Sequence, residues 1–134
     1  QRQLEPERAS LIKRTRSVLD AGIRLSLNSD RPIVAGDPQT GVHAAAFRPE
    51  GFDPREALTL REAFDAYTRG GADANGDADS IGSLAVGQWA DFQVWDAPLQ
   101  ASRSGIERTE LGGETLDLAV PKAEHGAPFT RSNN

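Results

Sequence analysis

The chain has 134 residues and sets 15 lysines and arginines against 20 acidic residues, a net charge of -5. That balance speaks against nucleic acid as a partner, because phosphate-backbone binders concentrate positive charge on one face. Cysteine is absent, which excludes disulfides, thiolate metal sites and cysteine nucleophiles. No apolar run approaches the ~18 residues that a membrane span needs, and no signal segment opens the chain. We therefore expect a cytoplasmic globular protein. Methionine is absent too, so Gln1 does not read as a translation start and we expect something to precede it in the gene.

In chain order, the first segment predicts a helix. Pro6 suits a first turn, Glu5 and Glu7 favour the positive end of the dipole, and Leu4, Leu11, Ile12, Val18 and Leu19 recur near the helical repeat. Arg2, Arg8, Lys13, Arg14 and Arg16 are interleaved with acids and read as a solvated face rather than an anion patch. Gly22 marks the stop. Ile23, Leu25 and Leu27 then alternate with polar residues up to Asp30, which is strand periodicity, and Pro32 ends the run. Helix, glycine, short strand and acidic end make one repeat of an α/β fold, in which ligands meet the carboxyl ends of strands.

Asp37 can cap a helix opening at Pro38 and running to Phe47, and Pro49, Gly51 and Pro54 make a loop. Thr59 and Glu62 form a capping box for a helix through Tyr67, which Gly70-Gly71 is expected to break, with a turn around Ala72 to Gly76. Asp73-Ala-Asn-Gly-Asp-Ala-Asp-Ser80 imitates a calcium loop, but the twelfth position from Asp73 is Leu84 instead of the required Glu, so it reads as a solvated loop. From Ile81 the character turns to β. Residues 82–87 predict a short strand into a turn. Ala90 to Asp96 alternates with Phe92 and Val94 on one face. Residues 106–111 and 114–120 form a hairpin across Gly112-Gly113. The tail from Pro121 has no periodicity and reads as mobile.

The order of these pieces carries a resemblance. Ser29-Asp30-Arg31-Pro32 is followed by Asp37-Pro38 with Gly41 and Ala44-Ala45, by Leu58-Thr59-Leu60-Arg61-Glu62-Ala63 with Ala66-Tyr67-Thr68, by Gly70-Gly71-Ala72, and by Gly82-Ser83-Leu84-Ala85-Val86-Gly87-Gln88-Trp89-Ala90-Asp91-Phe92. Across about residues 14 to 118 the chain resembles the amidohydrolase superfamily, in the branch called YtcJ-like or amidohydrolase family 3. The resemblance implies the carboxyl-terminal fragment of a (β/α)8 barrel joined to part of a small β-sandwich. Residues 1–80 would end the barrel, with Ile23 to Ser29 as strand eight. Residues 81–120 would be a share of the sandwich, and 121–134 a mobile tail. Gln88-Trp89 stand where the family often has Lys-Leu, in an exposed turn, and Arg31 stands where it often has Ala.

By the same resemblance, Asp30 is both the catalytic acid–base and a ligand of a divalent metal, with zinc the expected one. A bound metal lowers the pKa of water and a carboxylate takes its proton. From the residues alone, an Asp before Arg-Pro is more often a turn or cap residue. The chain has two histidines. His43 lies on a predicted helix and reads as packing, and His125 lies in the tail. Catalytic zinc takes three protein ligands, so Asp30 alone cannot hold it. Ser29 has no histidine near it in sequence to make a triad, and Trp89 and Trp95 read as turn and sandwich residues. The expected activity is hydrolysis of an amide-type, non-peptide carbon–nitrogen bond in a small-molecule substrate. The chain alone should be inactive, needing the rest of the barrel or self-associating. The alternative is a non-enzymatic interaction module, or a remnant, pairing through its β region.

Overall fold

The boundaries of the helices are set by capping residues. In a computed structural model, which describes residue 8 and residues 11–34, 36–101 and 105–116, helix α2 (Pro38–Phe47) opens on Asp37. The Asp37 carboxylate accepts hydrogen bonds from the backbone N–H of Gln39 and Thr40, and Pro38 occupies the first helical position. Helix α3 (Leu60–Tyr67) opens on the expected capping box: Thr59 accepts from the N–H of Glu62 and the Glu62 side chain reaches back to the N–H of Thr59. A 3-10 turn, η1 (Pro54–Glu56), is capped in the same manner by Asp53.

The expected first helix is interrupted: Arg8 is helical, residues 11–13 are a turn, and the rest of its first ten residues lie outside the described ones. Among the described residues α1 covers Thr15–Asp20. Lys13 just before it has φ 58°, a left-handed conformation that no helix propagates. The Arg48 guanidinium holds that turn, its Nη2 donating to the carbonyls of Ile12 (3.4 Å) and Lys13 (3.1 Å).

Residues 23–29 differ from their prediction as well. They form no ladder among the described residues. A parallel strand takes its hydrogen bonds from neighbours on both sides. Here the main-chain partner is a helix, with Leu27 N–H donating to Ala66 O at 3.0 Å. The period of two survives in burial: Leu25, Leu27 and Ser29 are half-buried, while Ser26, Asn28 and Asp30 are exposed. Gly70-Gly71 does not end a helix. The interruption falls at Thr68, and helix α4 (Arg69–Asn75) runs through both glycines and the expected turn to a left-handed Gly76. Gly70 is needed for proximity, since a Cβ there would lie 2.2 Å from the carbonyl oxygen of Leu25.

Helices α2 and α3 pack on each other around Val42, Ala45, Leu58 and Ala63, with Leu19, Leu25, Leu27, Leu60, Tyr67 and Leu99 against them. Small side chains make this contact close: Ala63 is fully buried, and Gly41 lies against the Tyr67 ring. Hydrogen-bonded carboxylates tie α1 to the segment after α2. Thr15 Oγ1 donates to Glu56 O at 2.7 Å and Ser17 N–H to Glu56 Oε2 at 2.8 Å, while Arg16 binds both carboxylate oxygens of Glu62.

The β portion is one antiparallel sheet, in the order β1 (Phe92–Trp95), β2 (Ile106–Leu111), β3 (Glu114–Leu116). Phe92 faces Glu110 and Val94 faces Arg108, with a register shift before Trp95 opposite Ile106. Gly112 and Gly113, both at positive φ, make the two-residue hairpin connection that only such residues enter without strain. Asp91 fixes this turn, its Oδ1 accepting from Gly112 N–H at 2.6 Å. Residues 82–87, expected as a strand, are turn and bend. Gln88 is half-buried, not a bystander in an exposed turn, and its Nε2 donates to Ala78 O at 2.7 Å. Beyond residue 116, the hairpin extension to 120 and the tail lie outside the described residues.

Candidate functional site

Asp30 stands on a turn built by its neighbours. Asn28 Oδ1 accepts the N–H of Asp30 at 2.8 Å, the two-residue reach of an Asx-turn. Asp30 itself has φ 54°, a left-handed conformation that aspartate tolerates better than most residues. Its carbonyl accepts the N–H of Ile33 at 2.8 Å, which closes the turn over the cis Arg31–Pro32 peptide. The Arg31 side chain folds back beside Gly36, where a Cβ would lie 2.8 Å from Arg31 Cδ.

The Asp30 carboxylate is exposed, and among the described residues it makes no hydrogen bond or ion pair. The nearby structural acids differ. Arg16 hydrogen-bonded to Glu62 holds that carboxyl down to about 2, and Arg55 does the same for Asp53, also to about 2. Glu56 is lowered by the Ser17 hydroxyl and N–H. Those three carboxylates are tied into the frame by hydrogen bonds, and that of Asp30 is not.

The other sequence candidates do not converge on it. His43 sits on α2 as a packing residue, its Nε2 2.7 Å from the Leu99 carbonyl and its ring 5.3 Å from that of Phe47. Ser29 is half-buried, and with His43 spent on Leu99 it has no base. Trp89 is exposed over the Gly112 backbone and Trp95 lies on β1 opposite Ile106. His125 lies outside the described residues.

Nowhere among the described residues do three or more His, Cys, Asp or Glu side chains group so as to hold a metal ion. Asp30 offers one donor where a catalytic zinc takes three protein ligands. These residues do not by themselves fit a resident metal. Sequence reasoning missed Asn28, which orients Asp30; its signal was an Asn two positions ahead of the acid.

The family-level match covers this frame and this turn. The family model described as "Amidohydrolase family" matches residues 1–116, and the chain belongs to that family, which is generally metal-dependent. The chain is 38% identical over 85 residues to the N-substituted formamide deformylase of Arthrobacter pascens, covering 60% of this chain and 16% of that protein. It is 29% identical over 114 residues to a Bacillus subtilis (strain 168) protein named "Putative amidohydrolase YtcJ", covering 75% of this chain and 22% of that one. The chain thus spans less than a quarter of the length of either relative. No solved structure matches it. Among the described residues no helix is long and apolar enough to cross a membrane.

Proposed function

We propose that the chain is the carboxyl-terminal part of a cytoplasmic, metal-dependent amidohydrolase that cleaves a non-peptide, amide-type carbon–nitrogen bond, with N-substituted formamides as the substrate class to test first. The observation that supports this most is the uncommitted carboxylate of Asp30, held on an Asx-turn in a chain that shares 38% of 85 residues with a deformylase of that class. In this reading residues 23–29 are a barrel strand awaiting its neighbours, which accounts for alternating burial without a ladder. Residues 81–120 are a share of a sandwich. Asp30 accepts the proton of the attacking water and returns one to the leaving nitrogen. Zinc, or another divalent metal, belongs to this reading only with histidines from outside residues 1–134.

The test is release of formate and amine from N-substituted formamides by the protein encoded in its natural reading frame. Asp30→Asn should retain the fold and lower kcat by about 10²–10⁴-fold, because an amide cannot take the proton. A kcat within a few-fold of the parent would remove Asp30 from this role, and no release from any formamide would remove the substrate class. Residues 1–134 alone should show no turnover with or without added zinc. A second reading, an interaction module, is favoured by the exposed Leu84, Val86, Trp89 and Leu111 of the β portion.

A further inference from the structure

A cleft of about 200 Å³ lies beside Asn28, where residues 13–15, α2 and the loop after it, and α3 meet. Its walls are mainly apolar, from Leu27, Ala44, Ala45, Pro49 and Phe52. Two cations, Lys13 and Arg48, also line it. Among the described residues neither forms an ion pair, although Arg14, Arg16, Arg24, Arg55, Arg61 and Arg108 all do. Arg8, Arg31 and Arg69 are likewise without an ion pair among the described residues, but Lys13 and Arg48 are the two cations that line this apolar cleft. The acid that senses Arg48, Asp53, is bound to Arg55 at 2.8 Å.

The guanidinium of Arg48 is fixed in place. Its Cζ lies 5.1 Å from the Phe52 ring centroid, and its Nη2 donates to the carbonyls of Ile12 and Lys13. Nε is buried without a hydrogen bond, which leaves Nη1 as the donor free to meet a ligand. Tyr67 also lines the cleft, and burial raises its hydroxyl pKa, keeping it a donor at neutral pH. The volume lies below the roughly 300–1,000 Å³ of sites for drug-sized molecules. Apolar walls select an apolar body, and fixed cationic donors select a carboxylate, whose charge-assisted hydrogen bonds are the strong ones.

We propose that this cleft between residues 13–15, α2 and α3 binds a small monocarboxylate with an apolar body, of the size of benzoate, through Arg48 and Lys13. Asp30 does not line the cleft, but Leu27 and Asn28 just before it do, so the proposal concerns the cleft as the 134-residue chain presents it. The test titrates the ¹⁵N-labelled 134-residue chain with benzoate and, separately, with benzyl alcohol as the neutral counterpart, following the amides of Gly41, Ala44, Ala45 and Tyr67. Benzoate should shift these amides saturably and bind about tenfold or more tightly than the alcohol. Arg48→Gln should abolish that preference, and Ala44→Leu should block both probes. If Arg48→Gln does not fold, Lys13→Gln, at an exposed side chain, should reduce the preference instead. The proposal fails if benzoate gives no saturable shift at these amides, if the two probes bind equally, or if the folded Arg48 or Lys13 variant keeps the full preference.

Discussion

Replacing Gly41 by alanine sets two effects of known size against each other. Gly41 lies inside α2, so alanine there gains about 1 kcal/mol of helix propensity. Its Cβ, however, would fall 1.8 Å from Tyr67 Oη and 2.5 Å from Cζ, far inside contact distance. Either the Tyr67 ring swings out of the α2–α3 contact or α2 moves away by more than 1 Å (about the overlap). Moving α2 would strain the bonds of Leu58 N–H to Ala45 O (3.1 Å) and of His43 to Leu99 O. Overpacking costs about 1–3 kcal/mol, and so deep an overlap belongs at the upper end, about 2–3 kcal/mol. We expect Gly41→Ala to destabilise the protein by about 1–2 kcal/mol, with overpacking outweighing propensity. In a Tyr67→Ala background the clash is gone, and the same substitution should stabilise by about 1 kcal/mol. The sign should therefore reverse between backgrounds, a coupling of about 2–3 kcal/mol. Urea unfolding of the four proteins by far-UV circular dichroism, at matched concentration, measures it. Equal effects of Gly41→Ala in both backgrounds would refute the close-packing argument.

Glu62 should make stability acid-sensitive. Its folded pKa is depressed from 4.5 to about 2 by Arg16, so its contribution is complete above the unfolded value and is lost as pH falls from about 4.5 towards 2. Glu62→Gln should flatten that part of the urea-midpoint profile relative to the parent, and superimposable profile shapes would count against the Arg16 contact. The β portion should associate, because among the described residues β1 and β3 are both sheet edges and unpaired edges template pairing. Analytical ultracentrifugation at micromolar concentration should find species heavier than 14.4 kDa, and a clean monomer with cooperative unfolding would contradict this.

What the sequence made legible is what short-range chemistry decides. Asp37-Pro38 and Thr59 with Glu62 satisfy backbone groups within a few residues, and Gly112-Gly113 enter positive φ on their own, so these element boundaries could be read without the rest of the fold. Residues 23–29 could not be read in this way, because a parallel strand exists through its neighbours. The break just before α1 is held by Arg48, some thirty-five residues from Lys13, and no local pattern announces that contact. Gly70-Gly71 misled for a related reason: Gly70 answers to the Leu25 carbonyl and not to a helix end. At the candidate site, family resemblance singles out Asp30, and the local Asn-x-Asp spacing is what points to Asn28 beside it. The family match over residues 1–116 then bore out the resemblance itself.

The bonds from Thr15, Arg16 and Ser17 to Glu56 and Glu62 join the chain before Asp30 to the chain after α2. The frame is thus closed without help from the stretch between Asp30 and Asp37. Insertions, deletions and substitutions in that stretch would leave the supporting scaffold standing. Proteins sharing this scaffold can therefore diversify the surroundings of the carboxylate by varying loop length, and a loop transplanted between relatives at Asp30 and Asp37 meets the same two anchored ends.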